Sequence, residues 1–189
     1  MQVLFVRHTE PNYAPITARK YKGHGRDLAP LTETGIDQAY EVALDERFQG
    51  AELILSSPYT RALQTAAIIS RICDLPLRVE VDLHEWLVDL NFDYDNFRHV
   101  QAAAREAEQG RGIPFEGREY HWESYHDLGE RAFRVLDRYR GHQKVICVTH
   151  GILIRQFAEV EHVPLGGVLE YELPARYRPL NGAGRFINY

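Results

Sequence analysis

Little in this chain serves covalent cross-linking, membrane insertion or nucleic-acid binding. Among 189 residues there are two cysteines, Cys73 and Cys147, too few for the disulfide framework of a small secreted domain. One bridge is compatible with that count. Both residues lie in apolar runs, however, and read as two buried thiols of a cytoplasmic protein. No apolar run approaches the ~20 residues of a membrane span. The N-terminus lacks a basic region followed by a signal-length apolar core. Basic residues do not predominate: 22 Lys and Arg stand against 27 Asp and Glu, a formal net charge of −5. A general nucleic-acid binder is expected to be basic, whereas a small anion needs only a locally basic pocket. No glycine-rich phosphate loop with a following Lys-Ser/Thr occurs, and Gly166-Gly167 reads as a turn. His24, His84, His99, His121, His126, His142 and His162 show no Cys/His spacing of a metal site. There is no internal repeat and no Gly/Ser linker, so residues 1–189 are expected to form a single domain with its own core.

What the chain does have is an alternation of short apolar runs and helical periodicity. Val3-Leu4-Phe5-Val6 reads as a buried strand that ends abruptly in Arg7-His8. Residues 11–30 carry Pro11, Pro15, Gly23, Gly25 and Pro30 without a sustained period, a loop long enough to expect a functional role. Thr32 can cap a helix whose inner face would be Ile36, Ala39, Tyr40, Ala43, Leu44 and Phe48. Leu53-Ile54-Leu55 is a second strand. Ser57 and Pro58 read as N-cap and first position of a helix to Cys73, and Leu77–Val81 as a third strand. Residues 86–122 are irregular and aromatic, with a helix expected around Asn96–Glu108. Ser124 and Asp127 suit a capping box for the next helix. Val145–Thr149 is another strand, ending in His150-Gly151, followed by a helix bearing Leu153, Phe157 and Val160. Val168–Leu173 suits a last strand, and the tail from Pro174, with Arg176, Arg178 and Arg185, has no clear period. Such alternation predicts an α/β fold with a mostly parallel sheet and helices on both faces.

Ligand chemistry in open α/β sheets sits beyond the carboxyl ends of the strands. Arg7, His8, Arg61, Glu85 and His150 all fall at strand ends or helix starts. Arg61 is informative, because a cation in the first turn of a helix opposes the macrodipole unless an anion shares that end. Two guanidinium groups and a second imidazole make a cage for a tetrahedral oxyanion. His8, kept neutral by the nearby arginines, can attack phosphorus through one ring nitrogen while a backbone carbonyl holds the other. Glu85, lifted in pKa beside Trp86, can protonate the leaving alkoxide and then deprotonate water.

Five pieces of the chain together carry a resemblance. They are Leu4–Glu10 (Leu-Phe-Val-Arg-His-Thr-Glu), Leu31–Ala39 (Leu-Thr-Glu-Thr-Gly-Ile-Asp-Gln-Ala), Ser56–Ala66 (Ser-Ser-Pro-Tyr-Thr-Arg-Ala-Leu-Gln-Thr-Ala), Leu83-His84-Glu85 and Val148–Gly151 (Val-Thr-His-Gly). In that order they resemble the histidine phosphatase superfamily, the phosphoglycerate-mutase-like clan. The resemblance implies a three-layer α/β/α sandwich with a small insertion, about 86–122, over the active site. It also implies His8 as the phosphorylated nucleophile, Arg7, Arg61 and His150 as phosphate ligands, and Glu85 as acid/base. Trp122-Glu123-Ser124 looks like the family's Gly-Glu-Ser. Neither metal nor organic cofactor is implied.

Three departures stand out. Thr9 replaces a common Gly, Asn12 is a weak substitute for a phosphate-touching Asn, and Asp89-Leu90-Asn91-Phe92 replaces the usual Gly-x-Trp-Glu-Gly. The last bears on substrate more than on the catalytic step. An aromatic insertion with few extra cations points to an organic leaving group. The expected activity is therefore hydrolysis of a small-molecule phosphate ester, with no nucleic-acid or membrane partner. A phosphoglycerate mutase and a non-enzymatic phosphate-binding module are the alternatives, and oligomeric state is not read from the sequence.

Overall fold

The computed structural model describes residues 1–180; Arg185, part of the tail noted above, lies outside them. At its centre lie β1 (Gln2–Arg7) and β4 (Lys144–Thr149), paired in parallel from Gln2 opposite Lys144 to Arg7 opposite Thr149. That register brings the next residues, His8 and His150, off neighbouring strand ends at the same edge of the sheet. β2 (Leu53–Ser56) and β3 (Leu77–Val79) extend the parallel sheet beyond β4, and β5 (Val168–Glu172) closes the other side antiparallel to β1. The spatial order is β3-β2-β4-β1-β5.

Val3–Val6 and Val145–Val148 are fully buried, as expected of strands covered on both faces. Because side chains alternate along a strand, the same runs supply two cores. Leu4, Val6, Ile54, Ile146 and Val148 face Ala62, Ala66 and Ile69 of α3 (Thr60–Cys73), with Ala43 and Phe48. Val3, Phe5, Leu55, Val145 and Cys147 face the other way, toward the helices of the second half of the chain. Those are α4 (Phe97–Gln109), α5 (Tyr125–Asp137) and α6 (Gly151–Ile154). This is the three-layer arrangement.

Several local expectations shift. Besides the short α1 (Ala14–Ala18), the 11–30 loop holds a 3-10 turn at Gly23–Leu28. Thr32 caps α2 (Glu33–Val42) as expected, its side chain accepting the Gly35 N–H, but the buried stripe is rotated. Gly35, Ala39 and Ala43 face inward, while Ile36, Tyr40 and Leu44 are exposed, Leu44 by 74%. The reason is a close approach. A Cβ on Gly35 would lie 2.3 Å from the Glu10 carbonyl oxygen, and Thr9 Oγ1 donates to the Gly35 carbonyl at 2.7 Å. The residue at the departure Thr9 thus ties α2 to the segment following His8.

α3 starts at Thr60, two residues later than Pro58, because Tyr59 is extended (φ −67°, ψ 134°) and is itself the N-cap; the bond from Tyr59 N–H to the Ser57 hydroxyl closes a turn ahead of the helix. β3 stops at Val79, and Val81–Leu83 forms a 3-10 turn. α6 is one turn long; the bonds Leu153 C=O to Gln156 N–H and Ile154 C=O to Phe157 N–H then tighten the backbone out of α-geometry. Phe157 is nevertheless buried, as its place on that face requires. Gly166-Gly167 is a turn, Gly166 having φ +72°. Both cysteines are free thiols, but Cys73 is half-buried where full burial was expected. No helix among the described residues is long and apolar enough to cross a membrane.

Candidate active site

A cavity of about 380 Å³ opens above the carboxyl ends of β1, β2 and β4. Arg7, His8, Arg61 and Glu85 line it together. His8 follows β1, Arg61 sits in the first turn of α3, and Glu85 follows the 3-10 turn after β3. His150 is not among the lining residues. It lies fully buried beside His8, the two rings edge to face with centroids 5.2 Å apart. Asn12 does not line the cavity either: its side chain accepts the Ala14 N–H at 3.0 Å and so serves the start of α1.

The proton state of His8 is determined by its neighbours. Nδ1 lies 2.8 Å from the Thr9 carbonyl oxygen, an acceptor only, so Nδ1 carries the hydrogen. Arg61 Nε, which cannot lose its proton, donates to His8 Nε2 at 3.2 Å. Nε2 is therefore a bare lone pair facing a guanidinium. Burial, more than the arginines, holds the His8 pKa well below its ordinary 6.5, with Arg61 and then Arg7 adding to it. His150 is lowered in the same way, by burial first and Arg61 second. Its Nε2 is 2.7 Å from the Ser57 hydroxyl, and its Nδ1 is buried without a hydrogen-bond partner among the described residues. Ser57 already accepts the Tyr59 N–H, so its own proton is available to Nε2, leaving Nδ1–H free to donate.

These two imidazoles set an acid limit on stability. An unfolded histidine takes up a proton near pH 6.5, but the buried ones resist it, so folding is favoured above that pH and disfavoured as pH falls. Glu85, whose pKa is raised, runs the other way: its contribution grows as pH falls through that raised pKa and is complete below 4.5, so it offsets part of the histidine effect. Between pH 6.5 and 5.5 the histidines' share of this change is at most about 2 kcal/mol. Urea unfolding at the two pH values checks this. His150→Asn should remove about half the difference.

Glu85 is held by backbone. Oε1 accepts the Trp86 and Leu153 N–H groups at 2.9 and 3.1 Å, and among the described residues Oε2 accepts only Ile152 N–H, at 3.2 Å. Burial raises its pKa above the ordinary 4.5, and these N–H groups and the arginines oppose that rise without cancelling it. With one donor instead of two, Oε2 is the oxygen with room for a proton.

The segment carrying Glu85 is clamped by Arg131 of α5. Its Nε and Nη2 donate to both oxygens of the buried Glu123 at 2.6 and 2.9 Å. The remaining donors reach the carbonyls of Asp82, His84 and Glu85. All five guanidinium hydrogens are used. Glu123 also accepts Leu87 N–H, and its carbonyl accepts the Trp86 indole N–H. The family-like Glu123-Ser124 pair therefore lies outside the cavity: Glu123 braces the Glu85 segment and Ser124 caps α5. Arg131 carried no local sequence signal, since its partners lie 8 to 49 positions away. Arg131→Ala leaves Glu123 buried and unpaired and is expected to destabilise the fold by about 3–5 kcal/mol in urea titrations. Arg131→Lys, with three donors, should recover only part of that loss.

Tyr59, Ile152 and Leu165 also line the cavity, and most of its remaining wall comes from two segments. Tyr13, Arg26 and Asp27 project from the 11–30 stretch, and the 86–122 insertion adds Trp86, Val88, Tyr94, Phe97, Val100 and Ala104. Phe97, Val100 and Ala104 recur at helical spacing along one face of α4, while Ala103 and Ala107 pack inward. Glu106 closes the insertion by accepting from Glu119 N–H, Tyr120 N–H and the Trp122 indole. The aromatic insertion is thus both a small core and a cavity wall. Among the described residues no group of three His, Cys, Asp or Glu could hold a metal.

Residues 3–175 match the sequence model of the histidine phosphatase superfamily (branch 1). Among curated relatives, a protein named probable phosphoglycerate mutase GpmB of Yersinia pestis (strain Pestoides F) is 34% identical over 161 residues. That match spans 82% of this chain and 71% of the relative. Among solved structures, a mycobacterial glucosyl-3-phosphoglycerate phosphatase superposes with TM-score 0.67 at 19% identity, covering 89% of this chain and 88% of that one. The α-ribazole phosphatase of Shigella flexneri superposes with TM-score 0.66 at 21% identity over 100% of both chains. At those identities the likeness is one of fold.

Proposed function

This chain belongs to the histidine phosphatase superfamily, and on that premise we propose that it hydrolyses small phosphomonoesters through a phosphohistidine at His8. The observation that carries this reading is the bare Nε2 of His8, its tautomer held by the Thr9 carbonyl, in one cavity with Arg61 and Glu85. Arg7 and Arg61 bind the phosphoryl oxygens from the cavity wall, and the Nδ1–H of His150, buried beside His8, is the third donor once the phosphoryl group sits on His8. Nε2 attacks phosphorus as the P–O bond to the leaving group breaks, and Glu85 Oε2–H supplies the proton that the departing alkoxide needs. A water then enters, Glu85 takes its proton, and the hydroxide attacks phosphorus as the P–N bond breaks. Phosphate leaves with His8 neutral and Glu85 protonated again.

The relatives named as probable phosphoglycerate mutases favour a second reading. There the phosphoryl group returns to a second hydroxyl of substrate instead of to water. Phosphate release from p-nitrophenyl phosphate, run beside 3-phosphoglycerate isomerisation, separates the two. Hydrolysis without isomerisation is expected. Isomerisation faster than phosphate release would replace the phosphatase reading with the mutase one.

A further inference from the structure

Beyond the phosphoryl-binding end, the cavity has an unusual charge balance. Asp27 is a lining residue, with Oδ1 3.5 Å from Arg61 Nη1 and Oδ2 3.1 Å from His24 Nδ1. The one lining cation outside Arg7 and Arg61 is Arg26, its sequence neighbour, which stands over the Tyr13 ring at 5.8 Å. The formal charges of Arg26 and Asp27 cancel, although Asp27 is paired with Arg61 and His24 and not with Arg26, so beyond Arg7 and Arg61 the lining carries no net positive charge to receive a second anionic group. The opposite wall is apolar: Val88, Tyr94, Phe97, Val100 and Ala104. Asp27 is close enough to this wall to help hold the Tyr94 hydroxyl in its neutral form, burial being the larger cause. The two sides are joined where Gly23 N–H donates to the Tyr94 carbonyl at 2.7 Å and the His24 ring packs on Phe92 at 3.9 Å.

We propose that the site takes phosphate esters of apolar, aryl-bearing alcohols that carry no second negative charge. Asp27 is the residue that turns anionic leaving groups away, and Phe97 belongs to the surface that receives the aryl body. A carboxylate on the leaving group would meet Asp27 as a like charge in a partly dehydrated cavity, which disfavours it. An aryl ring against Tyr94 and Phe97 gains from area and ring geometry together. This inference rests on the phosphomonoesterase reading and narrows it to a substrate class.

Three esters with similar alcohol leaving groups test it: benzyl phosphate, 4-carboxybenzyl phosphate and propyl phosphate. Benzyl phosphate is expected to exceed each of the others by about tenfold or more in kcat/KM. Asp27→Asn should bring 4-carboxybenzyl phosphate at least about fivefold closer to benzyl phosphate. Phe97→Ala should narrow the benzyl-to-propyl ratio by a similar factor. Calorimetric Kd values for benzylphosphonate and 4-carboxybenzylphosphonate provide the same comparison without turnover. Equal or reversed preference in either assay, or a carboxylate penalty unchanged by Asp27→Asn, overturns the inference. Failure to release phosphate from any of the three esters would count against the hydrolase, and the two phosphonate affinities would still decide the role of Asp27.

Discussion

His8→Ala is expected to lower kcat toward every phosphomonoester by on the order of 10⁴–10⁶, the range seen when a covalent nucleophile is removed. No neighbour can substitute. His150, the nearest second imidazole, is fully buried with its Nε2 against Ser57, and its Nδ1 carries the hydrogen in the arrangement derived above. Arg61 has no lone pair to offer. Only direct attack by water remains, assisted by phosphate binding. The wild-type protein, quenched in alkali during turnover, should carry a phosphoryl group on an acid-labile linkage at residue 8, found by mass spectrometry of the digest. His8→Ala should carry none. The substitution removes two side-chain hydrogen bonds and leaves a small void, so its melting temperature reports separately on folding. A His8→Ala protein that turned over at the wild-type rate would eliminate the phosphohistidine route.

Glu85→Gln should separate the two halves of the reaction. Alkyl phosphates need the proton from Oε2, and their turnover is expected to fall by about 10²–10⁴. A p-nitrophenolate leaves without that help, so the first step should survive. The second step then lacks its base. A burst of one p-nitrophenol per site, followed by slow release and an accumulated phosphoenzyme, is the expected signature in rapid-mixing experiments. The pH profile carries the same information. His8 must be neutral, and its lowered pKa places the acid limb of kcat/KM below 6.5. Glu85 must be protonated for the first step, so activity toward alkyl esters falls as pH climbs through its raised pKa. Glu85→Gln should lose that alkaline limb and keep the acid one. Equal losses for alkyl and aryl esters, with no burst, would mean that Glu85 is not the proton carrier. Part of the loss is structural, since a Gln amide set against the Ile152 N–H leaves donors facing each other at a cost of about 1–3 kcal/mol.

Much of the fold could be read from local pattern, since a strand or a helix is announced by the spacing of its own apolar residues. Val3–Val6 and Val145–Val148, continuous and apolar, marked strands buried on both faces, and the alternation with helices implied a mostly parallel sheet. Of the expected inner face of α2, Ala39, Ala43 and Phe48 are buried, whereas Ile36, Tyr40 and Leu44, one residue out of phase with Gly35, Ala39 and Ala43, are exposed. Hydrophobicity alone favoured including the larger side chains. The contact with the Glu10 backbone, which only glycine permits, selected the smaller. Residues 86–122 were opaque for a related reason: aromatic side chains without a period serve a satellite core and a ligand wall equally well.

By itself the sequence determined the order of the strands along the chain, the polar residues that end them, and hence which five side chains to watch. Register, burial and proton position were decided in three dimensions. Pairing Arg7 with Thr149 sets His8 beside His150, the Thr9 carbonyl selects the tautomer, and Arg131 and the α6 backbone hold Glu85. Asp27 enters the site from a stretch whose composition announced only a loop. Apart from the bond between His8 and the adjacent Thr9, those are contacts between groups tens to more than a hundred positions apart. Hydrophobic periodicity is a property of neighbours along one element, whereas a hydrogen bond between distant segments exists only once packing has removed water from both partners.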